Sequence, residues 1–365
     1  MNSFSSFKGK KVLITGHTGF KGSWLAAWMD ILQAEVVGIG LEPPTKPSHF
    51  NTANLTDKIQ HIILDIRDKK SLEEAIQNIQ PDYVFHLAAQ SLVRKSYEDP
   101  LETWNTNLNG TLNVLETLRK LKKNCSAILI TSDKCYDNVE WVWGYRENDR
   151  LGGEDPYSAS KGAAELAIRS YVKSFFPKEN SLVRIGSARA GNVIGGGDWA
   201  DNRIIPDCIK AWSEEKIVDL RSPNATRPWQ HVLEPLSGYI NQALALENRP
   251  ELHGESFNYG PVNNLNKSVL ELVNQMAKSW DKVKWQDVSK IEVGPHESGL
   301  LKLNCDKALH FFSWHGVMDF EETVAMTVDW YRNYYNNPSE AEAKTIDQIN
   351  EYVRIARNKG LIWAN

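Results

Sequence analysis

The chain has 365 residues, more than one hydrophobic core usually organises, so one large or two joined domains are expected. Its 41% hydrophobic and 24% charged content is that of an ordinary globular protein. A net charge of −4 provides no general basic field for nucleic acid, and no apolar run approaches membrane-spanning length.

Four cysteines, Cys125, Cys135, Cys208 and Cys305, lack metal-ligand spacing, and no secretory leader precedes them. The expectation is a cytoplasmic protein with free thiols and no bound metal.

The first turn organises the rest. Val12, Leu13 and Ile14 form an apolar run, Gly16-His17-Thr18-Gly19-Phe20-Lys21-Gly22 is a glycine-spaced loop, and a helical pattern begins at Ser23. Gly16 permits the sharp turn, Gly19 lets backbone approach a bulky anion, and Gly22 lets the helix sit close to the sheet. The amides and dipole of the helix start then offer a pyrophosphate site. Further strands are expected over 35–41, 61–65, 82–89, 127–131 and 182–185, with helices over 70–80, 107–122 and 158–174. Such alternation predicts an α/β fold with a doubly wound parallel sheet. The periodicity breaks near 187. A smaller mixed α/β lobe is therefore expected over 187–229 and 263–340. The dinucleotide domain spans 1–186 and is rejoined by about 230–262, and a helical tail covers 341–365, on the surface or at a subunit contact.

Tyr157 and Lys161 stand four residues apart at a helix start, hence on one face. An ammonium beside a phenol favours the phenolate, which makes the pair a candidate base. Asp133 lies just past the fifth strand, where ligands meet a parallel sheet, although such a residue can also cap a turn. At the end of the second strand Glu42 can bind a ribose diol, while His17 and Lys21 add positive charge at the phosphate loop.

Taken together, Gly16-x-x-Gly19-x-x-Gly22, His86-Leu87-Ala88-Ala89, Asn107-x-x-Gly110-Thr111 and Tyr157-x-x-x-Lys161 resemble the extended short-chain dehydrogenase/reductase family. The segments 131–136, 191–199 and 227–232 are most similar to its nucleotide-sugar 4,6-dehydratases, in the CDP-sugar branch. What the resemblance implies is a tightly held NAD, with Gly16, His17, Gly19, Phe20, Lys21, Gly22, Asp65, Ile66, Leu87, Ala88, Ala89, Asn107, Tyr157 and Lys161 around it. It also implies a nucleotide-sugar substrate, CDP-glucose, held by Gln90, Asn192, Arg203 and Arg227. The implied reaction oxidises C4, eliminates water across C5–C6 and returns the hydride to C6, a step of deoxysugar and lipopolysaccharide O-antigen biosynthesis. Tyr157 takes the C4 hydroxyl proton, Ser132 bonds the C4 oxygen, and Asp133 is the acid for the C6 hydroxyl. Where related dehydratases have a glutamate for the C5 proton this chain has Lys134, and the base stays open between Lys134, Tyr136, Tyr157 and water. Trp199 or Trp229 can wall the sugar. A homodimer or homotetramer is expected through the helices over 107–122 and 158–174. A sugar 4-epimerase and a non-catalytic NAD(P)-binding regulator are the competing readings.

Overall fold

In the computed structural model, residues 3–179, 181–261, 266–289 and 300–364 are described; parts of the expected second lobe, 263–265 and 290–299, lie outside them. Seven parallel strands form the central sheet: β1 (Lys11–Thr15), β2 (Glu35–Gly40), β3 (Gln60–Ile63), β4 (Tyr83–His86), β5 (Cys125–Ile130), β6 (Val183–Ala190) and β7 (Ser256–Tyr259). Their order is β7-β6-β5-β4-β1-β2-β3, with the sequence crossing over between β1 and β4. This is the Rossmann arrangement.

The two-residue strand period assigns the core. Leu13, Val84, Ala127 and Leu129 face one side, where they join Leu72 and Ile76 of α2 (Lys69–Ile79), Leu115 and Leu118 of α3 (Gly110–Leu118) and Ile168 of α4 (Pro156–Phe175). Ile14, Phe85, Ile128 and Ile130 face the other side. There they meet Trp24 and Trp28 of α1 (Phe20–Ile31) and Leu236 and Ile240 of α5 (Leu233–Asn248). The sixth strand runs to residue 190, beyond the point where the sequence pattern fades. After it come short pairings, Val193–Ile194 with Gln230–His231 and Thr226–Arg227 with Lys267–Ser268, around the helix Ile204–Ser213.

The glycine run 195–197 lies against an aromatic wall. A Cβ on Gly196 would come within 2.1 Å of the Trp330 ring, and Gly197 has φ +79° beside His49. Trp330 belongs to α6 (Phe320–Asn336) and stacks on Tyr334 at 5.7 Å, with Trp199 edge-on to both. The final helix, α7 (Ala341–Asn358), is not a loose surface tail. Tyr352 and Trp363 are buried against Trp28 and Phe4, because the apolar side of α7 completes the layer over α1. Glu234, buried at the start of α5, accepts from Val317 N (2.9 Å), Met318 N (2.7 Å) and Tyr352 Oη (2.8 Å). Burial pushes its carboxyl up to about 7.

Candidate active site

A cleft of about 690 Å³ opens at the carboxyl ends of β1, β2, β4, β5 and β6, where an open parallel sheet receives its ligands. One half has the form of a dinucleotide cradle. Gly16, at φ +76°, crosses the loop after β4 so closely that a Cβ would sit 2.6 Å from Ala88 N. A Cβ on Gly22 would meet Gly16 O at 2.1 Å, whereas Gly19 faces the cleft and has only Gly16 O nearby, at 3.3 Å. Gly19 is also the N-cap of α1 and makes no side-chain cap, so the first-turn amides remain available to an anion. Glu42, Asp65, Ile66, Leu87, Ala88 and Ala89 complete this half. Asp65 accepts from Arg67 Nη2 at 2.6 Å and Nε at 2.9 Å, and these bonds hold its carboxyl below the usual range. Backbone approach at Gly19, an anion-ready helix start and an acid at each of two strand ends fit a dinucleotide.

The other half carries the chemistry. Asp155 caps α4 by accepting from Ser158 N at 2.9 Å, which sets Tyr157 in the first turn and Lys161 one turn later. Both are buried and line the cleft. Burial pushes the Tyr157 phenol up to about 12, against a hydrogen bond from Ser132 and the charge of Arg203 that pull it down. The expected lowering by Lys161 is not what the geometry provides. The lysine ammonium points to Ile130 O at 3.5 Å, its charge is supported by Glu165, and burial brings it down to about 8.

Ser132 caps the short turn Asp133–Cys135, accepting from Lys134 N at 3.3 Å, so Asp133 is left to face the cleft. Its Oδ1 accepts from Ser132 Oγ at 2.9 Å and its Oδ2 from Asn192 Nδ2 at 3.4 Å. With one proton, the Ser132 hydroxyl can serve Asp133 or Tyr157 but not both at once. Gly191 makes the room: a Cβ there would lie 1.9 Å from Asp133 Oδ2. Lys134 Nζ is 3.9 Å from Asp133 Oδ1. Arg203 donates to Asp198 Oδ2 at 2.7 Å and to Ser91 Oγ at 3.3 Å, all three residues lining the cleft.

Gly16, Gly19, Phe20, Lys21, Gly22, Gln90, Ser132, Lys134, Asn192 and Trp229 also line the cleft, as do Trp199 and Arg203. Four residues singled out in the sequence do not. His17 is buried beneath the loop, its Nε2 2.5 Å from His61 Nδ1 and its ring filling the space left by Gly38. Asn107 is buried behind Gln90, accepting from its N at 2.8 Å and donating to its O at 3.0 Å, so it holds the wall rather than forming it. Arg227 pairs in the short strand Thr226–Arg227, and its Nη1 donates to Thr226 O at 2.8 Å. Tyr136 is buried with its hydroxyl on Asn258 and Arg189, which removes it as a direct C5 base.

Sequence reasoning missed the reach of Lys21. It sits among Asp133, Arg203 and Lys161, and burial brings its ammonium down to about 8. It also missed Gly191 and Glu165; only the four-residue step from Lys161 to Glu165 was visible, and it resembles ordinary helix patterning.

The sequence pattern of the GDP-mannose 4,6 dehydratase family matches residues 13–327. The chain is 47% identical over 330 residues to the CDP-glucose 4,6-dehydratase of Salmonella typhimurium, covering 89% of this chain and 91% of that protein. It is 24% identical to a UDP-glucose 4-epimerase of Mycoplasma pneumoniae, over 89% of this chain and 98% of that one. Among solved structures, the dTDP-glucose 4,6-dehydratase of Bacillus anthracis in complex with NAD matches with a TM-score of 0.73. At 21% identity, over 90% of this chain and 98% of that one, the match bears on the fold.

Proposed function

Because the chain belongs to the GDP-mannose 4,6 dehydratase family, we propose that it is an NAD-dependent hydro-lyase converting CDP-glucose to CDP-4-keto-6-deoxyglucose. The observation that carries this reading is the buried Asp133 carboxyl group beside Ser132 and Tyr157. Oxidation at C4 alone needs no acid there, whereas loss of the C6 hydroxyl does. The 47% identical relative bears the corresponding name, which supports CDP-glucose as the substrate.

NAD, when bound in the glycine cradle, supplies the hydride acceptor for C4 and the donor for C6, so the cycle has no net redox change. Tyr157 receives the C4 hydroxyl proton, and Ser132 is placed to hydrogen-bond the same oxygen. The hydrogen bond from Ser132 and the charge of Arg203 favour the phenolate that burial resists. A carbonyl at C4 acidifies the C5 proton, and we assign this proton to Lys134, which returns it to C5 as the hydride reaches C6. Asp133 gives a proton to the C6 hydroxyl, which leaves as water. With 3.9 Å between Lys134 Nζ and Asp133 Oδ1, the proton removed and the proton delivered pass through adjacent side chains. Arg203 and Asn192, which line the cleft, are assigned to the diphosphate, whose oxygens suit planar guanidinium and amide donors.

Four unpaired cysteines fit a reducing cytoplasm. Among the described residues no helix is long and apolar enough to cross a membrane. The exposed side chains of Tyr97, Leu101, Leu166 and Phe175 lie on α4 and the helical segments beside it, which supports self-association through this face. A monomer by light scattering at micromolar concentration would count against that assembly. For the activity, the purified protein is incubated with NAD and CDP-, dTDP-, UDP- or GDP-glucose, and products are weighed by mass spectrometry. Loss of one water from CDP-glucose is the expected result; loss from none of the four overturns the proposal.

A further inference from the structure

Behind the cleft lies a buried charge cluster that the reaction steps above do not use. Glu165 sits on α4 one turn beyond Lys161 and two beyond Tyr157, and is almost wholly buried. Its Oε1 accepts from Thr131 Oγ1 at 2.5 Å. Its Oε2 accepts from Arg189 Nη2 at 2.7 Å, Ser187 Oγ at 2.9 Å and Ser256 Oγ at 3.3 Å. Arg189, equally buried on β6, also donates to Tyr136 Oη at 2.7 Å and Glu147 O at 3.0 Å. The carboxylate is thereby fixed by β5, β6 and β7 together, and through Arg189 it is tied to the turn that carries Asp133 and Lys134.

We propose that Glu165 is a positioning residue for the Tyr157–Lys161 pair: its pinned carboxylate, one helical turn behind Lys161, keeps the buried ammonium charged and in place. The proposal rests on the dehydratase reading, in which Lys161 lines the reaction cleft one helical turn from the base Tyr157. The other groups facing Lys161 cannot do this. His86 on β4 is held neutral by burial, at about 3. The Cys135 thiol is pushed up by burial and stays neutral, and Lys21 is a like charge. Ile130 O offers a single carbonyl at 3.5 Å. Glu165 is the carboxylate that supports the lysine against the burial that lowers it. Glu165 gives its direct bonds to Arg189 and the three hydroxyls, so it acts on Lys161 through the field and not as an ion-pair partner that would draw the ammonium away from the cleft.

The test follows the titration of Lys161 in isotope-labelled protein by nuclear magnetic resonance, alongside the alkaline limb of kcat. In Glu165→Gln both are expected to move down by about one pH unit, a typical effect of removing an opposite charge nearby. KM for the nucleotide-sugar should stay within about twofold, because uniform binding is untouched. Glu165→Asp keeps the charge and should restore most of the shift. Since an unpaired buried Arg189 can unfold the single variant, Glu165→Gln with Arg189→Met removes both charges and should show the same downward move. Titration of Lys161 at the wild-type pH in either folded variant overturns the proposal, since a purely structural role would lower stability without moving it. If wild-type protein dehydrates no nucleotide-sugar, the functional reading fails, yet the resonance still decides the role of Glu165.

Discussion

Asp133 separates a dehydratase site from one that only oxidises and reduces C4. Asp133→Asn keeps the size and one acceptor oxygen but has no carboxylic proton to give. With CDP-glucose and NAD the variant is expected to lose about 10²–10⁴-fold in turnover and to accumulate the absorbance of reduced nicotinamide. Turnover at the wild-type rate would refute the acid assignment. Gly191→Ala asks the same question from behind, since the new Cβ would press on Asp133 Oδ2 from 1.9 Å. Its kcat should fall at least about tenfold through misplacement alone, while circular dichroism stays native. An unchanged kcat would mean that the position of Asp133 is not critical. The glycine loop, Asp133, Tyr157 and Lys161 were legible in the sequence because their spacing from strand ends determines which side of the sheet they reach. His17 and Asn107 lie behind the cleft wall. Proximity in a motif does not say whether a side chain points into the cleft or into the wall; the space left by Gly38 takes the His17 ring, and the Gln90 backbone takes the Asn107 amide.

At the level of elements, α6 supports the cleft from outside the sheet. Trp330 packs on Gly196, and Tyr331 Oη donates to Asp198 O at 2.5 Å; Asp198 in turn receives Arg203 Nη1 at 2.7 Å. Removing the indole should therefore act at two places. Trp330→Ala is expected to cost about 3–5 kcal/mol of stability, as for large buried aromatics, and to raise KM for the nucleotide-sugar by loosening Arg203. Urea unfolding and steady-state kinetics check both; a stability loss with KM unchanged would detach α6 from substrate binding. The aromatic wall accounts for Trp199 and Trp330, two of the 13 tryptophans, and for Gly196 beneath Trp330. Strands β1, β2, β4, β5 and β6 were readable as apolar runs because both faces of the sheet are covered there, and the half-exposed edge strand β3 was readable from Ile62 and Ile63. The seventh, Ser256–Tyr259, was not, since a four-residue edge strand alternating with polar residues resembles a loop. The second lobe resisted reading for a similar reason: two-residue pairings such as Thr226–Arg227 with Lys267–Ser268 have no period to detect.

The whole molecule should be sensitive to acid. Burial holds His49, His86 and His231 neutral at about 3 and His17 at about 4, so below pH 6.5 the unfolded chain binds protons that the folded chain refuses. Stability from these groups is present above their unfolded value and is lost as pH falls. Glu234 opposes them, because its raised value lets the folded state keep a proton between about 4.5 and about 7. The balance is a stability that falls by up to roughly 4 kcal/mol per pH unit between about pH 6 and about pH 5. Urea midpoints at the two pH values measure it, and equal midpoints would contradict the burial of the four histidines. C4 oxidation, water loss and reduction at C6 are expected to occur in a single site. CDP-glucose carrying deuterium at C4 tests this most directly, with the product examined by nuclear magnetic resonance and mass spectrometry. The predicted product has lost one water, carries a carbonyl at C4 and bears the deuterium in its C6 methyl group. A product that retains all its oxygen and has deuterium at an inverted C4 would contradict the account and identify an epimerase.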